Sequence, residues 1–141
     1  VGLLKLAAVL QFTLPGVPSI YYGDEAGLTG YGDPFCRAAY PWGRENTELL
    51  NLYRALGALR RSSPAFASGE FVPIRAESGV FAFLRKKGGS TAFIAVNSGD
   101  STTVTDIPPE LKDIKTAFGE KPQGGKLTLS PKTFSVFTAE S

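Results

Sequence analysis

Leu14-Pro15-Gly16-Val17-Pro18-Ser19-Ile20-Tyr21-Tyr22-Gly23-Asp24-Glu25 decides how the rest of the chain is read. Pro15-Gly16 is a turn dipeptide, and Pro18 fits only the start or the edge of a strand. Val17, Ile20, Tyr21 and Tyr22 form a β-branched and aromatic run that lacks the alternation of a one-sided strand. That pattern suits a strand covered on both faces, as in a parallel sheet. Gly23 frees the backbone to turn, and Asp24 and Glu25 follow. Barrels of alternating strands and helices present polar groups at strand ends in this way. A core strand followed by a solvated acidic turn fits the same residues.

Upstream, Gly2 to Phe12 carries Leu3, Leu6, Ala7 and Leu10 at helical spacing, with Leu4, Val9 and Phe12 extending the apolar surface nearly all round. Such a helix is buried by neighbours. Downstream, Ala26 to Arg44 mixes glycine, proline and aromatics without a period and predicts a long loop. Loops of this length are functional or disordered. Tyr31, Phe35, Tyr40 and Trp42 argue against disorder. Leu49, Leu52, Tyr53, Leu56 and Leu59 then predict a helix over 47–61, with Asn46 or Thr47 as its cap and Arg60-Arg61 at its end. Ser62-Ser63-Pro64 stops it.

From about Gly69 the period shortens. Strands are predicted at 71–74, 80–85, 91–97, 102–105, 114–118, 126–129 and 133–138, separated by turn clusters such as Lys87-Gly88-Gly89-Ser90. Regular short strands of this kind predict an antiparallel β-sandwich.

Composition closes off several functions. With 43% hydrophobic and 20% charged residues the 141-residue chain is an ordinary globular protein, one domain or two small ones, burying about two-thirds of its unfolded surface. A net charge of +2, with basic residues only in scattered pairs, offers no surface for nucleic acid. No stretch suits a membrane span. The absence of histidine and the single Cys36 exclude a zinc site and the Ser-His and Cys-His nucleophile pairs within this chain. A lone cysteine requires no oxidising compartment, so the cytoplasm is the expectation; secretion stays open because the sequence does not begin with methionine.

Gly16-Val17-Pro18-Ser19-Ile20-Tyr21-Tyr22-Gly23-Asp24-Glu25 resembles the last barrel strand of the α-amylase family of glycoside hydrolases. Gly30-Tyr31-Gly32-Asp33-Pro34-Phe35-Cys36-Arg37 and Tyr40-Pro41-Trp42 follow at the spacing of its neopullulanase and cyclomaltodextrinase branch. The resemblance implies an α+β segment: the last strand and helices of a (β/α)8 barrel over 1–66, with a substrate-binding loop at 23–44, then a β-sandwich over 67–141. Phe81-Ala82-Phe83-Leu84-Arg85 and the strand ending at Asn97 are further points of likeness. Cyclodextrin glucanotransferases carry a similar motif whose Asp and Arg bind a glucose unit, and carried over these are Asp33 and Arg37. Tyr31 and Trp42 are candidate sugar-stacking residues, since pyranose rings pack on aromatic faces. Asp33 as a turn initiator with Arg37 capping it explains the same spacing.

Retaining glycosidases need two carboxyl groups about 5–5.5 Å apart. The family carries them on earlier strands, with a third in an Asn-His-Asp motif, so no catalytic residue is expected here. The expectation is therefore the C-terminal part of a retaining enzyme acting on α-linked glucans, inactive alone; a noncatalytic module that stabilises the barrel or binds glucan is the alternative. No cofactor or metal is expected in this segment, and calcium is an option only for the rest of the enzyme. The apolar elements of 1–25 are expected to cover one another in a dimer centred on Leu3, Leu6, Leu10, Val17 and Ile20. The competing expectation folds both helices onto the sandwich.

Overall fold

In the computed structural model, which describes residues 1–140, three helices precede seven strands. The helices are α1 (Gly2–Thr13), α2 (Thr47–Ser62) and α3 (Pro64–Ser68). The strands are β1 (Glu70–Glu77), β2 (Val80–Lys87), β3 (Ser90–Asn97), β4 (Thr103–Asp106), β5 (Lys115–Phe118), β6 (Lys126–Leu129) and β7 (Thr133–Glu140). All pairings are antiparallel, in a five-stranded sheet of order β1-β2-β3-β7-β5 and a ribbon of β4 and β6.

The large sheet is buried on both faces, which explains the unbroken apolar runs of β2 and β3. Phe83, Ala92, Ile94, Val96 and Val136 pack with Leu6, Val9, Phe12, Leu56 and Phe66 from the helices. Their strand neighbours Val80, Ala82, Leu84, Phe93, Ala95 and Phe137 point the other way, onto Leu127 and Leu129 of the ribbon. The change of secondary structure near residue 66 is therefore not a break in packing.

Two buried polar side chains tie the layers. Arg85, 1% exposed, crosses from β2 to donate to the carbonyl of Thr13 at 2.6 Å and that of Gly69 at 3.0 Å. It and Arg60, which donates to the carbonyls of Phe12, Leu14 and Gly16, bring positive charge to the negative end of α1. Burial, and then the Arg60 charge, lower the affinity of Arg85 for its proton below the usual guanidinium value. At the far end of β3, Asn97 donates to Ser101 O, Leu129 O and Ser130 O at 2.8, 3.1 and 3.2 Å, while its Oδ1 accepts from Gly99 N at 2.9 Å.

Two expectations change. The 17–22 strand does not form: none of these residues pairs with a strand, and Tyr22 already lies in the turn that leads into the loop. A parallel strand needs a hydrogen-bonded neighbour on each edge, and the described residues supply none, so Val17 stands 92% exposed. Within the chain the helices fold onto each other and onto the sheet, so Leu6 lies in the core and Leu10 packs beside it. Leu6 is thereby closed to a dimer contact; Leu10 is half-buried, and Leu3 and Ile20 remain exposed along with Val17. Ser63 and Pro64 also do more than stop α2. Ser63 Oγ accepts from Ala65 N and Pro64 opens α3, whose Phe66 is fully buried. No helix among the described residues is long and apolar enough to cross a membrane.

Candidate functional site

The loop begins at Gly23, whose φ of 93° only glycine adopts readily, and a Cβ there would lie 2.8 Å from the Leu28 side chain. Asp24–Ala26 then forms one 3-10 turn. Glu25 folds back so that its carboxylate accepts from Gly23 N at 2.9 Å. Ala26 is buried, and its carbonyl accepts from Asn46 N at 2.8 Å. Asn46 Oδ1 in turn accepts from Leu49 N at 3.1 Å, capping α2. The two ends of 27–45 are thus fastened together at the start of a helix.

Within the loop a second 3-10 turn, Phe35–Arg37, sets Arg37 one turn beyond Asp33. Arg37 Nε meets Asp33 Oδ1 at 2.7 Å, and its Nη2 lies 3.4 Å from Oδ2. This is the two-pronged pairing a guanidinium makes with a carboxylate. Both side chains stay about two-thirds exposed, at 70% and 64%. Exposed ion pairs contribute about 0–1 kcal/mol, so the fork has little use as a staple. Asp33→Ala is accordingly expected to change stability by no more than about 1 kcal/mol in a urea titration.

Tyr31, Phe35 and Trp42 are 88%, 71% and 81% exposed, a concentration of apolar ring surface on one loop. Tyr40 packs against Trp42 with ring centroids 4.5 Å apart. Tyr22 Oη donates to Ala38 O at 2.9 Å and straps the far side of the loop to the segment that enters it. Of the sequence candidates, Asp33 and Arg37 are in direct contact, and Tyr31 and Trp42 present their rings on the surface. Tyr22, Tyr40 and Glu25, which stand in the motifs quoted above, are not among those four candidates. The available signal was Gly23-Asp24-Glu25 itself, a glycine turn that lets a carboxylate bond back to the chain.

Two phenols feel the acidic loop entry. Desolvation, followed by the charges of Glu25 and Glu45 and a hydrogen bond to Glu25, raises the Tyr40 pKa above 10.0. Burial first, then Asp24 and Glu25, raise that of Tyr53. A phenol harder to ionise in the folded state contributes stability that is intact below its unfolded pKa of about 10 and is lost as pH rises through the folded value. Stability should therefore fall above pH ~10, and Tyr53→Phe should make that fall shallower in alkaline melts. Tyr53 also meets Phe12 edge-on at 5.8 Å, a contact the phenylalanine ring keeps. Among the described residues no group of three acidic or cysteine side chains is placed to hold a metal.

No family model matches the sequence. Amylopullulanase of Thermoanaerobacter thermohydrosulfuricus is 38% identical over 145 residues, covering 94% of this chain and 9% of that protein. Cyclomaltodextrinase of Thermoanaerobacter pseudethanolicus is 39% identical over 106 residues, 74% of this chain and 18% of that protein. The solved structure of the Nostoc punctiforme debranching enzyme, soaked with acarbose, matches with a TM-score of 0.85 at 30% identity, over 96% of this chain and 29% of that one. The chain spans less than a fifth of the length of these two curated relatives. Helices laid on an antiparallel sheet, matched at this level, define the class: a C-terminal segment of a glycoside hydrolase. The chain belongs to the α-amylase family.

Proposed function

We propose that this chain is the C-terminal part of a retaining enzyme acting on α-linked glucans, of the neopullulanase or cyclomaltodextrinase type. Residues 17–22 then form the last barrel strand once the preceding strands are beside them, and the two sheets are the sandwich that follows. The observation that carries the proposal is the Asp33–Arg37 fork, exposed among Tyr31, Phe35 and Trp42 on a loop fastened at its base. A fork with little value to stability still offers fixed charged oxygens and N–H groups to sugar hydroxyls, and the rings offer stacking surface. Two similar structures fit this reading: the Nostoc punctiforme debranching enzyme was soaked with acarbose, and the cyclic maltosyl-maltose hydrolase of Arthrobacter globiformis was solved with cyclic maltosyl-maltose.

The test is a chimera. This chain is spliced in place of the matching segment of the Thermoanaerobacter cyclomaltodextrinase and compared with the chain alone. The chain alone is expected to release no reducing sugar from starch or cyclodextrin, because a retaining mechanism needs a pair of carboxyl groups carried elsewhere. The chimera is expected to be active. In it, Asp33→Ala or Arg37→Ala should weaken use of maltoheptaose by roughly 10-fold or more and spare maltotriose, each removing charge-assisted bonds to a remote sugar worth about 1.5–3 kcal/mol. The two losses should not add, since each residue holds the other. Equal loss on long and short substrates would sink the assignment. Activity of the chain alone would sink the division of labour behind it.

A further inference from the structure

The backbone hydrogen bonds in the middle of the loop stay local. Phe35 N donates to Gly32 O, Arg37 N to Pro34 O and Trp42 N to Tyr40 O, each closing a turn. Among the described residues, two side-chain bonds tie residues 29–44 to the chain outside them. Tyr40 bonds to Glu25 on the Trp42 side. On the fork side, Tyr22 Oη donates to Ala38 O at 2.9 Å. Ala38 follows directly on the 3-10 turn that carries Arg37.

Packing does not replace that second bond. A crevice of about 250 Å³ is lined by Tyr21, Tyr22 and Asp24 of the entry segment and by Thr29, Gly30 and Cys36 of the loop. The turn is therefore not pressed flush against the segment behind it. A Cβ on residue 30 would lie 2.9 Å from Cys36 Cα, so glycine lets the turn rest on the loop's own backbone instead. Phe35 is 71% exposed and cannot anchor it. Among the described residues Asp33 and Arg37 pair only with each other. Where the fork points is then set by where Ala38 is held. The phenol that holds it is steadied in turn, its ring centroid 5.1 Å from that of Tyr21.

We propose that Tyr22 is a positioning residue for the loop: by holding Ala38 it sets the direction of the Asp33–Arg37 fork, and thereby the advantage of longer oligosaccharides. This rests on the sugar-binding function proposed above, in which 17–22 becomes a barrel strand. The phenol then ties the fork to the frame that carries the reaction, and binding groups fixed to rigid elements keep their geometry better than groups on free loops.

Tyr22→Phe keeps the ring and removes the donor. In the chain alone, amide exchange at Phe35 and Arg37 is expected to quicken about three- to tenfold, with that at Asn46 unchanged. In the chimera, KM for maltoheptaose should rise about three- to tenfold, with kcat and both maltotriose constants unmoved. Adding Tyr22→Phe to Asp33→Ala should change nothing further, because the phenol acts through the fork. Tyr21→Phe should match the parent. Unchanged exchange, equal loss on both sugars, a loss confined to kcat, or losses that add in the double variant would each overturn the assignment. So would a Tyr21→Phe variant that behaves like Tyr22→Phe. An effect of Asp33→Ala with none of Tyr22→Phe overturns the strap and leaves the sugar site standing. No effect of Asp33→Ala overturns the sugar site and the strap with it.

Discussion

Arg85→Met is expected to cost about 2–5 kcal/mol, read as a lower midpoint in urea with an unchanged slope. Methionine nearly fills the volume but returns no hydrogen bond. The carbonyls of Thr13 and Gly69 then stay buried without their donors, at about 1–3 kcal/mol each. Part of this is offset, because a buried cation with an unpaired Nε is removed at the same time. Arg85→Lys should restore only part of the loss. An ammonium keeps the charge at the end of α1 but lacks the planar fork that spans two carbonyls. A loss below about 1 kcal/mol for the methionine variant would show that the clamp contributes little.

The second large effect is expected at Asn97. Its amide closes four hydrogen bonds and joins the end of β3 to the segments before β4 and after β6. Asn97→Ala should cost roughly 3–5 kcal/mol, combining lost bonds with a small void. Asn97→Asp preserves the shape and reverses the chemistry. A carboxylate would face three carbonyl oxygens, so its proton is held more tightly in the folded state than in the unfolded one. That variant should therefore lose stability as pH rises through the raised folded value and regain it in acid. Melts at two pH values check the sign. A variant equally stable at both would mean the acceptors turn away when the donor is lost.

Local signals in the sequence were read well where the cause was local. Asn46 capping, the apolar period and Arg60-Arg61 place α2 within a residue of its observed ends. The turn cluster Lys87-Gly88-Gly89-Ser90 likewise separates β2 from β3. Partnership was not legible. Nothing local says that β3 pairs with β7 rather than β4, or that an arginine closing an apolar strand crosses beneath two helices. The 17–22 segment shows the limit best. Its composition asks for neighbours on both edges, and only a tertiary fact, their absence from the described residues, leaves it unpaired. At the site, motif spacing brought Asp33 and Arg37 together, but Tyr22 reaching Ala38 depends on how the loop returns. α3 was hidden because Ser63-Pro64 ends one helix and starts the next with the same two residues.

The doubly covered sheet has a practical consequence for recombining relatives. A crossover at residue 66 keeps the chain continuous and looks harmless on the sequence. It would nonetheless ask Phe83, Ile94 and Val136 of one parent to fit Val9, Phe12 and Leu56 of another. Interiors packed at crystal-like density tolerate such mismatches poorly. Hybrids cut there should fail as folding defects, with insoluble or easily melted protein, while their sugar-facing residues are intact. Exchanging the helices and the large sheet as one block keeps that seam within a single parent.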